Sequence, residues 1–81
     1  MRRPTAAHLK LLKHAQDGFS MFDAVREMKR SDLSIERLFY ELVDANMIEH
    51  CDRDEPMHLT RLGRAALKGG LTLKRPPLGR P

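Results

Sequence analysis

A single cysteine, Cys51, stands among 81 residues, so no disulfide can form within the chain. This fits a reducing compartment. Tryptophan is absent, and Phe19, Phe22, Phe39 and Tyr40 are the only aromatics, so any core relies on aliphatic side chains. No apolar run follows the basic start at Arg2 and Arg3. Neither an export signal nor a membrane span is therefore expected, and the cytoplasm is the expected setting. The sequence also lacks a glycine-rich phosphate loop, a paired-carboxylate motif and a Ser-His-Asp arrangement. No enzymatic activity is expected. His50, Cys51 and His58 are close in sequence, but no second pair completes a tetrahedral set, so neither a metal nor another cofactor is expected. Acids around Cys51 should raise its thiol pKa and make it a poor nucleophile.

What remains is ordinary soluble-domain material, 41% hydrophobic and 32% charged, with a net charge of +4. A chain this short buries only about 60% of its unfolded surface, so one small core is expected. Three parts are expected: a flexible N-terminal arm at residues 1–5, a domain at 6–70, and a basic, proline-rich tail at 71–81.

Periodicity divides the domain into four helices. Thr5 can cap a first helix over residues 6–16, in which Leu9, Leu12 and Ala15 recur at helical spacing before Asp17 and Gly18 stop it. Leu11 falls off that stripe and offers spare apolar surface, while His8 and His14 are expected to face solvent or a partner. Ser20 and Asp23 form a short-acid capping box for a second helix over residues 21 to about 29, with Phe22, Val25 and Met28 on one face. The third helix carries Ile35, Leu38, Phe39, Leu42 and Val43 within one arc. Ser31 or Ser34 can cap it, and Leu33, off that arc, favours Ser34. Asn46 tolerates the left-handed conformation and should end the helix.

Residues 47–51 and 57–60 are short enough to be strands, and Asp52, Arg53, Asp54, Glu55 and Pro56 between them are turn formers. A β-hairpin is expected, with Phe19 adding a one- or two-residue strand. Thr60 can cap a fourth helix in which Leu62, Ala65 and Ala66 face inward, Gly63 permits close approach to a neighbour, and Gly69 and Gly70 end the helix. Met21, Met28, Met47 and Met57 are expected as core filler.

Gly18-Phe19-Ser20, the helix from Ala24 and Val25 to Met28, Leu38 and Leu42 followed by Asp44-Ala45-Asn46-Met47-Ile48, and Leu59-Thr60-Arg61-Leu62-Gly63-Arg64 stand in a telling order. Together they resemble a winged helix-turn-helix domain of the small bacterial or phage regulator kind, MarR-like or PadR-like, over roughly residues 6–68. Two departures stand out: Asn46 replaces the customary glycine, and Lys29 and Arg30 occupy a turn where glycine and an apolar residue are usual. The resemblance implies a mainly α fold with a small β-hairpin wing and a DNA-binding transcriptional regulator. Ser34, Arg37 and Tyr40 would then read the major groove, and Arg53 at the wing tip would enter the minor groove. Lys29, Arg30, Arg2 and Arg3 would neutralise phosphates. A homodimer on a palindromic site is also implied.

Charge distribution complicates that expectation. Residues 34–60 hold seven acids against two bases, net −5, while the remainder holds thirteen bases against four acids, net +9. Duplex affinity draws on phosphate neutralisation, so an acidic reading element has to be offset by flanking cations. A second expectation is therefore an adaptor or inhibitor that docks a basic protein through Glu36, Glu41 and Asp44. A solvated i,i+4 pair between Arg37 and Glu41 would leave the helix with neither task.

Overall fold

The computed structural model describes residues 4–69; Arg2, Arg3, Gly70 and the tail at 71–81 lie outside the described residues. Four helices follow in order: α1 (Ala6–Gln16), α2 (Met21–Met28), α3 (Asp32–Asp44) and α4 (Arg61–Gly69). None of the described helices is long and apolar enough to cross a membrane.

The helix ends follow local chemistry. Thr5 caps α1 in a box completed by the His8 side chain, and Gly18 takes φ +87° just beyond the end of α1. Ser20 and Asp23 cap each other at the start of α2. The Ser20 amide donates to the Asp23 carboxylate at 3.1 Å, the Ser20 hydroxyl adds a second bond, and Arg26 lies beside it. In that order these contacts hold the Asp23 carboxyl below the usual carboxylate range. Ser31 caps α3 by accepting from the Ser34 amide, so the helix starts earlier than Leu33 suggested, and Leu33 lies within it, 77% exposed. Asn46 takes the expected left-handed conformation at φ 62°.

The core joins Leu11 and Leu12 of α1, Met21 and Ala24 of α2, and Ile35, Leu38, Phe39 and Leu42 of α3 to Ile48, Met57 and Leu59 of the following segment. Leu11 is fully buried, so it provides no spare surface. Met21 and Met57 are core residues, and Met28 and Met47 pack against the core. α1 packs against each of the other three helices, whereas α4 rests on α1.

The β-hairpin wing, and with it the winged architecture, is corrected: no strand forms among the described residues. Ile48 and Leu59 make one isolated antiparallel bridge, flanked by Glu49 N–H donating to the His58 carbonyl at 2.9 Å. The ladder does not extend past this bridge, because the next hydrogen-bonded pair in its register would be Cys51 with Pro56. The Met57 amide donates to the Phe19 carbonyl at 2.8 Å, and Pro56 has no amide to offer. Asp52 and Glu55 close their own turn, Glu55 N–H to the Asp52 carbonyl and Asp52 N–H to the Glu55 carboxylate. Phe19 thus meets the segment through one hydrogen bond and forms no strand.

The seat of α4 is equally local. Thr60 N–H donates to the Met47 carbonyl at 3.0 Å, the Thr60 hydroxyl donates to the Asn46 carbonyl, and Gly63 N–H donates to the Thr60 hydroxyl. This brings Gly63 so close to the Met47 backbone that a Cβ there would lie 2.0 Å from the Met47 oxygen. Gly63 is buried and Ala66 partly buried, but Leu62 and Ala65 are exposed, opposite to the face expected for them.

Candidate nucleic-acid interface

α2 and α3 pack on each other and are joined by Lys29, Arg30 and Ser31 alone. So tight a reversal needs one residue at positive φ, and Lys29 supplies it at φ 54°, with its N–H capping the Val25 carbonyl. An L-residue there is strained by about 1 kcal/mol, a cost glycine would avoid. The result is an eight-residue helix, a three-residue turn and a thirteen-residue helix, the spacing of a helix-turn-helix.

At roughly 100° per residue, Ile35, Leu38, Phe39 and Leu42 occupy one arc of α3, and Leu33, Arg37, Tyr40 and Asp44 occupy the opposite one. The first four are buried and the second four exposed. Leu33, Ser34 and Arg37 line a surface hollow of about 260 Å³ at the start of the helix. Ser34 stands at the edge of this face, its hydroxyl accepting from Arg30 Nη1 at 3.1 Å. Tyr40 stays 44% exposed, its ring edge-on to Phe39 and 6.1 Å from the His50 ring.

Ion pairing sorts the acids of this region. Glu41 meets His8 rather than Arg37: His8 Nε2 lies 2.7 Å from the Glu41 carboxylate. The His8 ring is buried, and its Nδ1 accepts from the Thr5 amide at 3.0 Å, so Nε2 carries the hydrogen and donates to Glu41. The histidine expected at the surface is therefore a cross-link between α1 and α3. His14, also expected outside, is partly buried, with its ring stacked on Phe19 at 4.8 Å. Glu36 pairs with Arg53 across the loop. Arg53 therefore folds back on α3, and the minor-groove role assigned to it loses the wing it required. Asp44 remains exposed at the end of α3. Glu36 and Glu41 lie roughly 140° apart around the helix, so the three acids named for protein docking do not share one narrow face. Arg37 has no acidic partner among the described residues.

No protein-family profile, curated protein or solved structure matches the chain.

Of the residues expected to meet DNA, Lys29, Arg30, Ser34, Arg37 and Tyr40 are brought together on the turn and the outer side of α3, while Arg53 is drawn off toward Glu36 and Arg2 and Arg3 lie outside the described residues. Leu33 joins the group and was missed. Its signal was present in the sequence, since a leucine two residues after a serine cap and off the apolar stripe is helical and exposed if that serine is the cap. Cys51 is partly buried, and burial first, then Glu55 and Asp52, pushes its thiol up. It is a poor thiolate at neutral pH.

Proposed function

We propose that this chain is a small DNA-binding regulator that uses α2, the turn and α3 as a helix-turn-helix, with α3 lying in the major groove. The observation that carries this reading is the three-residue turn through left-handed Lys29, because it leaves the unpaired Arg37 between Leu33 and Tyr40 on the outward side of α3. Arg37 offers two parallel donors to the N7 and O6 of guanine, Leu33 an apolar contact to a thymine methyl, and Tyr40 a hydroxyl to phosphate. Lys29 and Arg30, at the turn, neutralise backbone phosphates where the second helix meets the duplex. Glu36 is turned to Arg53 and Glu41 to the neutral His8, so neither carboxylate pairs with Arg37; the net −5 of residues 34–60 is unchanged and has to be offset by Lys29 and Arg30.

Fluorescence anisotropy with mixed-sequence duplexes at low and physiological salt tests the reading. Binding should weaken with salt, and Lys29→Gly with Arg30→Ala should lower the slope of log affinity on log salt by about 2, one unit per phosphate contact. Arg37→Ala should flatten the difference between preferred and random duplexes by about 10-fold or more, the value of one bidentate base contact. Absence of salt-dependent binding in the wild-type chain would overturn the reading.

A further inference from the structure

We infer that the groove between α1 and α4 is a docking site for an acidic amphipathic helix of a partner protein. Its volume is about 630 Å³. Leu9 and Leu67 supply its apolar floor, both only partly buried, and Lys10, Lys13, Arg64 and Lys68 stand exposed along its edges. No acid lines it. Lys13 lies 3.8 Å from Asp17, which offsets part of its charge, and Arg64 donates to the Leu59 carbonyl and keeps its full charge, as do Lys10 and Lys68.

The occupant follows from three properties of this surface. Every described lining residue belongs to α1 or α4, so no third element among the described residues roofs the groove. A compact organic ligand in such a place would leave much of itself in water, whereas small-molecule sites bury about 70–90% of their ligands. A helix brings its own apolar stripe and completes a three-helix layer, the arrangement in which a groove between two helices accepts a third. Charge decides among helical occupants. A second copy docked through the same face would set four cations against four, and the tail at 71–81 carries Lys74, Arg75 and Arg80 with no acid. Both are repelled, while a helix with acids flanking a leucine stripe is attracted and steered. Because α4 packs on α1 and not on α2 or α3, this surface is separate from the α3 face, and the inference does not depend on DNA binding.

The probe is a synthetic peptide of about 12 residues, matched to the length of α1 at about 1.5 Å per residue, with leucines at i, i+3, i+4 and i+7 and glutamates between them. Titrated into the full-length chain and followed by amide NMR, it should move the signals of Leu9, Lys13, Leu67 and Lys68 and leave those of Leu33 and Arg37 in place. Lys10→Glu with Lys68→Glu, two exposed positions, should weaken binding about 10-fold or more, and rising salt should weaken it in the wild type. That double variant should keep its circular dichroism and, although its lower net charge weakens all duplex binding, should keep the ratio of affinities for preferred over random duplex within about twofold of wild type, which separates failure here from failure of the α3 reading. The inference is overturned if the acidic peptide leaves those four signals unmoved, if a lysine-flanked peptide of the same leucine spacing binds equally well, or if the double variant loses no affinity. Concentration-dependent self-association abolished by the double variant would assign the groove to a second copy, and displacement of the peptide by duplex DNA would assign it to phosphate. Either result overturns the inference.

Discussion

Replacing Gly63 by alanine should damage this protein, although alanine is the better helix former by about 1 kcal/mol. The added Cβ would lie 2.0 Å from the Met47 oxygen and 2.9 Å from its carbonyl carbon, both backbone atoms that cannot rotate aside. An ordinary carbon-to-oxygen contact needs about 3.3 Å, so α4 has to withdraw by roughly 1.3 Å. That withdrawal breaks the Thr60 amide bond to Met47 and the Thr60 hydroxyl bond to Asn46, each contributing about 1 kcal/mol. It also loosens the partly buried Ala66 and Leu67, at about another 1 kcal/mol. Against the gain in helix propensity, the net loss is about 2 kcal/mol. For a domain of this size that lowers Tm by roughly 8–16 °C. Thermal unfolding followed by circular dichroism reads the shift, with Ala65→Gly as the control, since Ala65 is exposed in the same helix and should lose only its propensity, about 1 kcal/mol. A Gly63→Ala chain that melts at or above wild type would refute the close approach of α4 to Met47.

Further outcomes follow from the caps and the buried histidine. Lys29→Gly should raise stability by about 0.5–1 kcal/mol in urea unfolding, because it relieves the left-handed lysine, and should weaken duplex binding at the same time; a loss of stability would mean that residue 29 is not left-handed. His8→Ala removes the His8 half of the α1 capping box and the link to Glu41 and should cost about 1–3 kcal/mol, read by the same unfolding curve, and an unchanged midpoint would refute the cross-link. The Asp23 carboxyl titrates below its unfolded value, so its contribution is present above the unfolded pKa and disappears as pH falls through the lower folded value. Wild type should therefore lose its stability advantage over Asp23→Asn as pH drops below about 4, the ordinary carboxylate range, and a constant difference down to pH 2 would contradict the capping box. Cys51 should alkylate more slowly than a free thiol at pH 8, because burial and its acidic neighbours keep it protonated, and an equal rate would contradict its surroundings.

Those caps were the legible part of the fold. Thr5, Ser20 with Asp23, and Asn46 each carry side-chain chemistry that acts within three or four residues, so sequence spacing is enough to place them. Lys29 gave no such signal, since nothing in a lysine side chain announces a left-handed backbone; the conformation is imposed by packing α2 on α3. The hairpin failed for a related reason. Residues 47–51 and 57–60 have strand-like composition, but composition does not set register, and the register fixed by the Ile48–Leu59 bridge puts Pro56, which has no amide, opposite Cys51. The inward face of α4 was misjudged because apolarity pointed to Leu62 and Ala65, while the absence of a side chain at Gly63 decided which face could approach the backbone of Met47. In the candidate interface, Arg37 and Tyr40 were readable as outward positions of a strong amphipathic helix. The His8 link to Glu41, which removes the expected partner of Arg37, joins residues 33 apart in sequence and left no local trace.

The attachment of α4 has one more consequence. It is pinned at its first turn by Thr60 and Gly63 and rests beyond that on α1, outside the packing of α1, α2 and α3. Opening of the described structure should therefore be staged: amides in the last turns of α4 exchange with solvent through local fraying, while those around Phe39 and Leu42 exchange only when the three-helix core unfolds. A partner that seats itself between α1 and α4 would close that gap, so its affinity would register as slowed exchange at the end of the chain's last described helix, well away from the centre of the core.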